Sequence, residues 1–139
     1  RAALSGGSIQ HAMDLREEEL RAFRRQLIET LSQPDFDSVQ TATAIGQFVE
    51  AAGKEAPPKR ARLRKVVGWA VELYCHAMRW GAGIDDASNS ALNIDAEIAA
   101  DCLDRSLEAL RHIDANANLP NVIDAWMDDT SRMTASAVM

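Results

Sequence analysis

Aromatic residues are scarce in this chain of 139 residues, at 5%, and so are glycine, with seven, and proline, with four. A sheet protein leans on aromatic and β-branched residues, so their shortage beside abundant alanine points to helices. Two cysteines are too few for a disulfide framework and suit a reducing compartment. No apolar run approaches the roughly 20 residues of a membrane span, and the first residues are no secretory signal. Positive charge is in deficit. Fifteen Lys and Arg against 21 Asp and Glu leave a net charge of −6, which argues against binding nucleic acid over the whole surface. An initiating methionine is also missing. The chain begins at Arg1, and the expectation is a piece of something longer, cytoplasmic and without a membrane partner.

What is present fits one globular domain. Hydrophobic residues make up 47% and charged residues 26%, an ordinary balance for a chain long enough to bury a core. Breakers divide it. Ser5-Gly6-Gly7-Ser8 interrupts the start, and Ser8 is a good N-cap for a short helix over residues 9–15. Asp14 with Glu17 fits a capping box for a second helix to about Ser32, with Leu20, Phe23, Leu27 and Leu31 as its apolar stripe. Gln33-Pro34 ends it. Asp37 or Ser38 caps a helix from Val39 to about Ala52, closed by Gly53. Pro57-Pro58 opens a long helix to Trp80, striped with Leu63, Val66, Val67, Ala70, Leu73, Tyr74 and Ala77. Residues 84–90 read as a polar loop. Asn93 is the expected cap of a helix whose apolar face carries Ile98, Cys102, Leu103, Leu107, Leu110 and Ile113. Asn116 and Asn118 break it, Pro120 starts a last helix, and from Ser131 the chain is expected to fray, leaving 134–139 as a flexible tail. The fold expected is an all-α bundle of five or six helices.

Few residues suggest chemistry. Glu72 and His76, and Glu108 and His112, are four apart, whereas di-iron bundles use Glu-x-x-His, so a metal-binding helical bundle around His76 and His112 stands only as a further alternative reading. Cys75 and Cys102 lack zinc spacing and read as buried thiols. Glu97, Asp101, Asp104 and Glu108 share one helix face and read as a solvated acidic stripe. The one basic cluster is Lys59, Arg60, Arg62, Arg64 and Lys65, with Lys54 before it. It interleaves no aromatics, and it puts cations at a helix N-terminus, which the helix dipole disfavours. That mismatch implies a use: a solvated or protein-facing patch, or as the rival reading a contact with nucleic acid. No phosphate loop and no Ser-His-Asp arrangement is present, so no catalytic residue, metal or cofactor is expected. Trp69, Trp80, Trp126 and Met127 are either core or subunit interface, since aromatics and Met are enriched at interface centres.

Two segments carry a resemblance. Leu4-Ser5-Gly6-Gly7-Ser8-Ile9-Gln10-His11-Ala12-Met13-Asp14-Leu15 resembles the sensor-2 segment that closes the helical lid of bacterial DNA polymerase III clamp-loader subunits. Asn93-Ile94-Asp95, Leu107-Glu108-Ala109-Leu110 and Asn116-Ala117-Asn118-Leu119 are similar to the collar helices of the same family, of the delta-prime type more than gamma/tau. The resemblance implies the end of an AAA+ lid over 1–15 and a collar domain over 16–133. It also implies a non-catalytic role: packing against other clamp-loader subunits, with DNA met indirectly or weakly. Where family members carry a γ-phosphate-reading arginine this chain has His11, near Ser8, so no intact nucleotide site is implied.

Overall fold

The computed structural model describes the backbone of residues 2–33, 35–81 and 94–136, and the side chains of residues 9–33, 35–79 and 94–136. Among these residues the protein is all α, with no strand. Five helices follow one another: α1 (Ala2–Leu31), α2 (Ser38–Glu50), α3 (Ala56–Gly81), α4 (Ala96–Asp114) and α5 (Leu119–Ala135).

The starts are set by side-chain caps. The side chains of Asp37, Asp95 and Asn118 accept hydrogen bonds from the backbone N–H groups of Gln40, Glu97 and Asn121, each satisfying a donor the helix cannot pair internally. Asp95 caps α4, not Asn93, which lies outside the described residues together with the expected loop at 84–90. Two residues with positive φ make the connections: Gly53 (φ 141) between α2 and α3, and Asn116 (φ 63) between α4 and α5. Asn is among the few side chains that tolerate the left-handed region.

Helix α1 departs from the sequence reading. It runs unbroken through Ser5-Gly6-Gly7-Ser8 and through Asp14, so neither Ser8 nor Asp14 caps anything. A lone glycine costs a helix only about 1 kcal/mol, and each residue added to a formed helix gains a hydrogen bond. The Asp14 carboxylate instead accepts a hydrogen bond from the Gln10 side chain at 3.0 Å, one turn back. The helix is also uneven along its length. Leu27 and Leu31 are buried, Leu20 and Phe23 half-buried, and residues 9–19 are all exposed. Residues 9–19 of α1 therefore form an arm beyond the bundle.

The core gathers on α3, whose expected stripe from Leu63 to Ala77 is buried throughout. Its most extensive contact is with α4. There the buried face is Ala99, Cys102, Ser106, Ala109 and Ile113, while Leu103, Leu107 and Leu110 are half-buried. The leucines lie at the flanks of this face. Helix α5 lies on α4 and α2. It stays ordered past Ser131: Thr130 and Thr134 are fully buried, and the Thr134 hydroxyl donates to the Thr130 carbonyl at 3.2 Å. The expected tail thus begins no earlier than Ser136, because these threonines complete a buried face.

Candidate interaction surface

The basic cluster at the start of α3 is largely consumed inside the molecule. Lys59 Nζ lies 2.8 Å from Glu50 Oε2, and Arg64 Nε lies 2.8 Å from Asp114 Oδ1. Arg62 donates to the Phe48 carbonyl at 3.1 Å and sits 4.6 Å above the centre of the Phe48 ring. Phe48, Glu50 and Asp114 all belong to the C-terminal turns of α2 and α4. Those turns carry unpaired carbonyls and the negative ends of helix dipoles. Cations that are misplaced for their own helix are well placed for its neighbours, which resolves the mismatch seen in the sequence. Lys54, Arg60 and Lys65 have no ion-pair partner among the described residues.

Aromatics do accompany this cluster, contrary to the reading of the linear run. Phe23 from α1 and Phe48 from α2 stack with centroids 4.0 Å apart and planes 3° from parallel, and Trp69 from α3 tilts against Phe48 at 6.4 Å. Phe23, Phe48 and Trp69 are all half-buried. They come from three helices, so no local sequence window contains them. The Phe23 position was legible only as a member of a core stripe.

The other aromatic candidates divide. Trp126 and Met127 are fully buried in the monomer core, so neither lies on a free surface. The Trp126 indole N–H donates to Ser106 Oγ at 3.0 Å, and Ser106 Oγ donates to the Cys102 carbonyl at 2.9 Å. The Trp80 side chain lies outside the described residues.

The metal-like pairs do not converge. Glu72 pairs with Arg24 at 3.2 Å, and Glu108 lies 3.9 Å from both His112 and Arg105. No group of three His, Cys, Asp or Glu among the described residues could hold a metal ion. Cys75 is exposed, correcting the expectation of two buried thiols. Cys102 is buried, and burial, reinforced by the charge of Asp101, pushes its thiol up to about 12 against a smaller lowering by the Tyr74 hydroxyl. A thiol so held stays protonated and unreactive near neutral pH. Glu97, Asp101 and Asp104 are exposed, as a solvated stripe should be. Arg105, which the sequence reading passed over, is buried on α4 and donates to Asp129 of α5 at 2.7 Å.

Large exposed hydrophobics concentrate on the arm. Ile9, Met13 and Leu15 are 61%, 49% and 48% exposed, with Val39 on α2 the other case among the described residues. Ile9 and Met13 stand four apart, and Met13, Leu20 and Leu27 follow at intervals of seven, so the buried stripe of α1 continues onto the arm, where Ile9 and Met13 are exposed. His11 is exposed there too, and Ser8 lies inside the helix.

Against known proteins, no family model, no curated protein and no solved structure matches this chain. No described helix is long and apolar enough to cross a membrane.

Proposed function

We propose that the chain is a non-catalytic assembly domain of a bacterial DNA polymerase III clamp-loader subunit, closest to the delta-prime type. In this reading residues 1–15 are the end of an AAA+ lid and 16–133 a collar domain. Its partners are the other clamp-loader subunits, and its place is the cytoplasm, where sliding clamps are loaded for replication. The observation that carries the reading is the arm. A helix that holds three large hydrophobics in water, two of them (Ile9 and Met13) in register with its own buried stripe, is built to be covered by another protein surface. Two further features support it. The segment that resembles a lid end lies on that arm. The segment that resembles the collar's Asn-x-Asn turn joins α4 to α5 through Asn116 and the cap Asn118.

The test is reconstitution. The chain, mixed with purified clamp-loader subunits encoded by the same genome, is run on size exclusion with light scattering. Co-elution is expected, with Met13→Asp weakening it at least tenfold. Separate elution at micromolar concentrations would overturn the proposal.

A further inference from the structure

At the seam of α1 and α3 the aromatic trio lies beside basic residues. Trp69 is half-buried, so part of its indole reaches the surface. Phe48 offers no free face, because Phe23 stacks on one and Arg62 covers the other. Trp69 is thus the platform, and the phenylalanines hold its tilt. One turn before it on α3 is Lys65, exposed and without an ion-pair partner among the described residues. Arg62 lies a turn earlier. Between Lys65 and Trp69 comes Gly68, where an added Cβ would meet nothing within 4 Å, so the backbone there is open. Glu72, one turn beyond Trp69, is paired with Arg24 of α1 at 3.2 Å, so it does not cancel the charge of Lys65.

We propose that this seam between α1 and α3 binds single-stranded nucleic acid, with a base stacked on Trp69 and the flanking phosphates met by Lys65 and by the guanidinium N–H groups of Arg62 that the Phe48 carbonyl does not take. A π-face next to cations is the chemistry by which proteins hold single strands without reading sequence. The surface favours single strands over duplex on two grounds. Stacking requires an unpaired base, and two uncancelled cations are too few to grip a double helix. The net charge of −6 gives no long-range attraction, so binding is weak and local.

The test uses the whole chain and a labelled twelve-residue oligothymidylate, read by fluorescence anisotropy and by tryptophan emission. Binding with quenching is expected at 50 mM salt. With two phosphates neutralised, affinity falls about sevenfold between 50 and 200 mM salt. Trp69→Leu keeps an apolar side chain against Phe48 and is expected to lose about tenfold in affinity together with the quenching. Lys65→Glu lies on an exposed position, leaves the fold intact, and is expected to lose at least fivefold. The duplex of the same sequence is expected to compete poorly. No binding at 50 mM salt, equal binding by both variants, or duplex competing as well as the single strand would each overturn the proposal. Subunit co-elution reads the assembly function separately, so either can fail without the other.

Discussion

Arg105 is the buried charge of this bundle, with a side chain only 9% exposed. It is held by Asp129 at 2.7 Å, and Glu108 stands 3.9 Å from its Nη1. Replacing one partner of a buried pair strands the other charge, at a usual cost of about 3–5 kcal/mol. Here Glu108 remains nearby and is part-exposed, so the expected cost of Asp129→Ala is smaller, about 2 kcal/mol. Urea unfolding measures it as a lower midpoint at unchanged slope. Asp128→Ala makes the control: its Arg132 pair is one turn away on the same helix and exposed, and surface pairs of that kind contribute about 0.3–0.5 kcal/mol. Asp129 also lies 3.3 Å from Arg132, an exposed contact of the same small worth, so the excess cost at Asp129 over Asp128 reports the buried Arg105. Arg105 also shows why a sequence hides such residues: it falls beside the acidic stripe of α4, where a charged residue is unremarkable until α5 packs over it.

At the scale of the helix, α2 contains a glycine without a structural excuse. Gly46 lies in the middle of Ser38–Glu50 with ordinary helical backbone, and a Cβ built there meets nothing within 4 Å. Gly46→Ala is therefore expected to stabilise the chain by about 0.5–1 kcal/mol, raising the thermal midpoint. Gly53, at φ 141, is the opposite case, where any side chain is strained. The helices themselves were largely legible. The stripe of α3 and the proline and asparagine signals around α3 and α5 each name a physical cause that operates locally. Two kinds of feature were not legible. The length of α1 was missed because Gly6-Gly7 and Asp14 carry break signals that a long helical context overrides. The burial of Leu103, Leu107 and Leu110 was overestimated because α4 is covered by α3 and α5 over a face made of Ala99, Cys102, Ser106, Ala109 and Ile113, and the leucines fall at the edges of that face. The aromatic trio was invisible for a related reason: Phe23, Phe48 and Trp69 are far apart in sequence, and only the packing of three helices brings them to one surface.

The whole molecule divides into a bundle that carries stability and an arm that does not, and this division makes a sharp prediction. Every side chain from residue 9 to residue 19 is exposed, and among the described residues of α1 the buried positions are Leu27 and Leu31. Hydrophobic stabilisation scales with area removed from water, at about 25 cal/mol per Å², so the arm contributes almost none to the isolated chain. Its helical hydrogen bonds exchange for bonds to water at a net worth near 1 kcal/mol or less each, and the last turns before Leu27 keep the Phe23–Phe48 stack and the Arg24–Glu72 pair. Deleting residues 1–18 is thus expected to leave the thermal midpoint within a few degrees of the full chain while removing co-elution with clamp-loader subunits. Amide exchange in the full chain gives the same division without truncation: fast over residues 9–19, and slowest over residues 63–77 of α3. A large drop in stability on deletion would mean that the arm folds back onto the bundle in solution, and its exposed stripe would then be a core contact instead of a surface awaiting a partner.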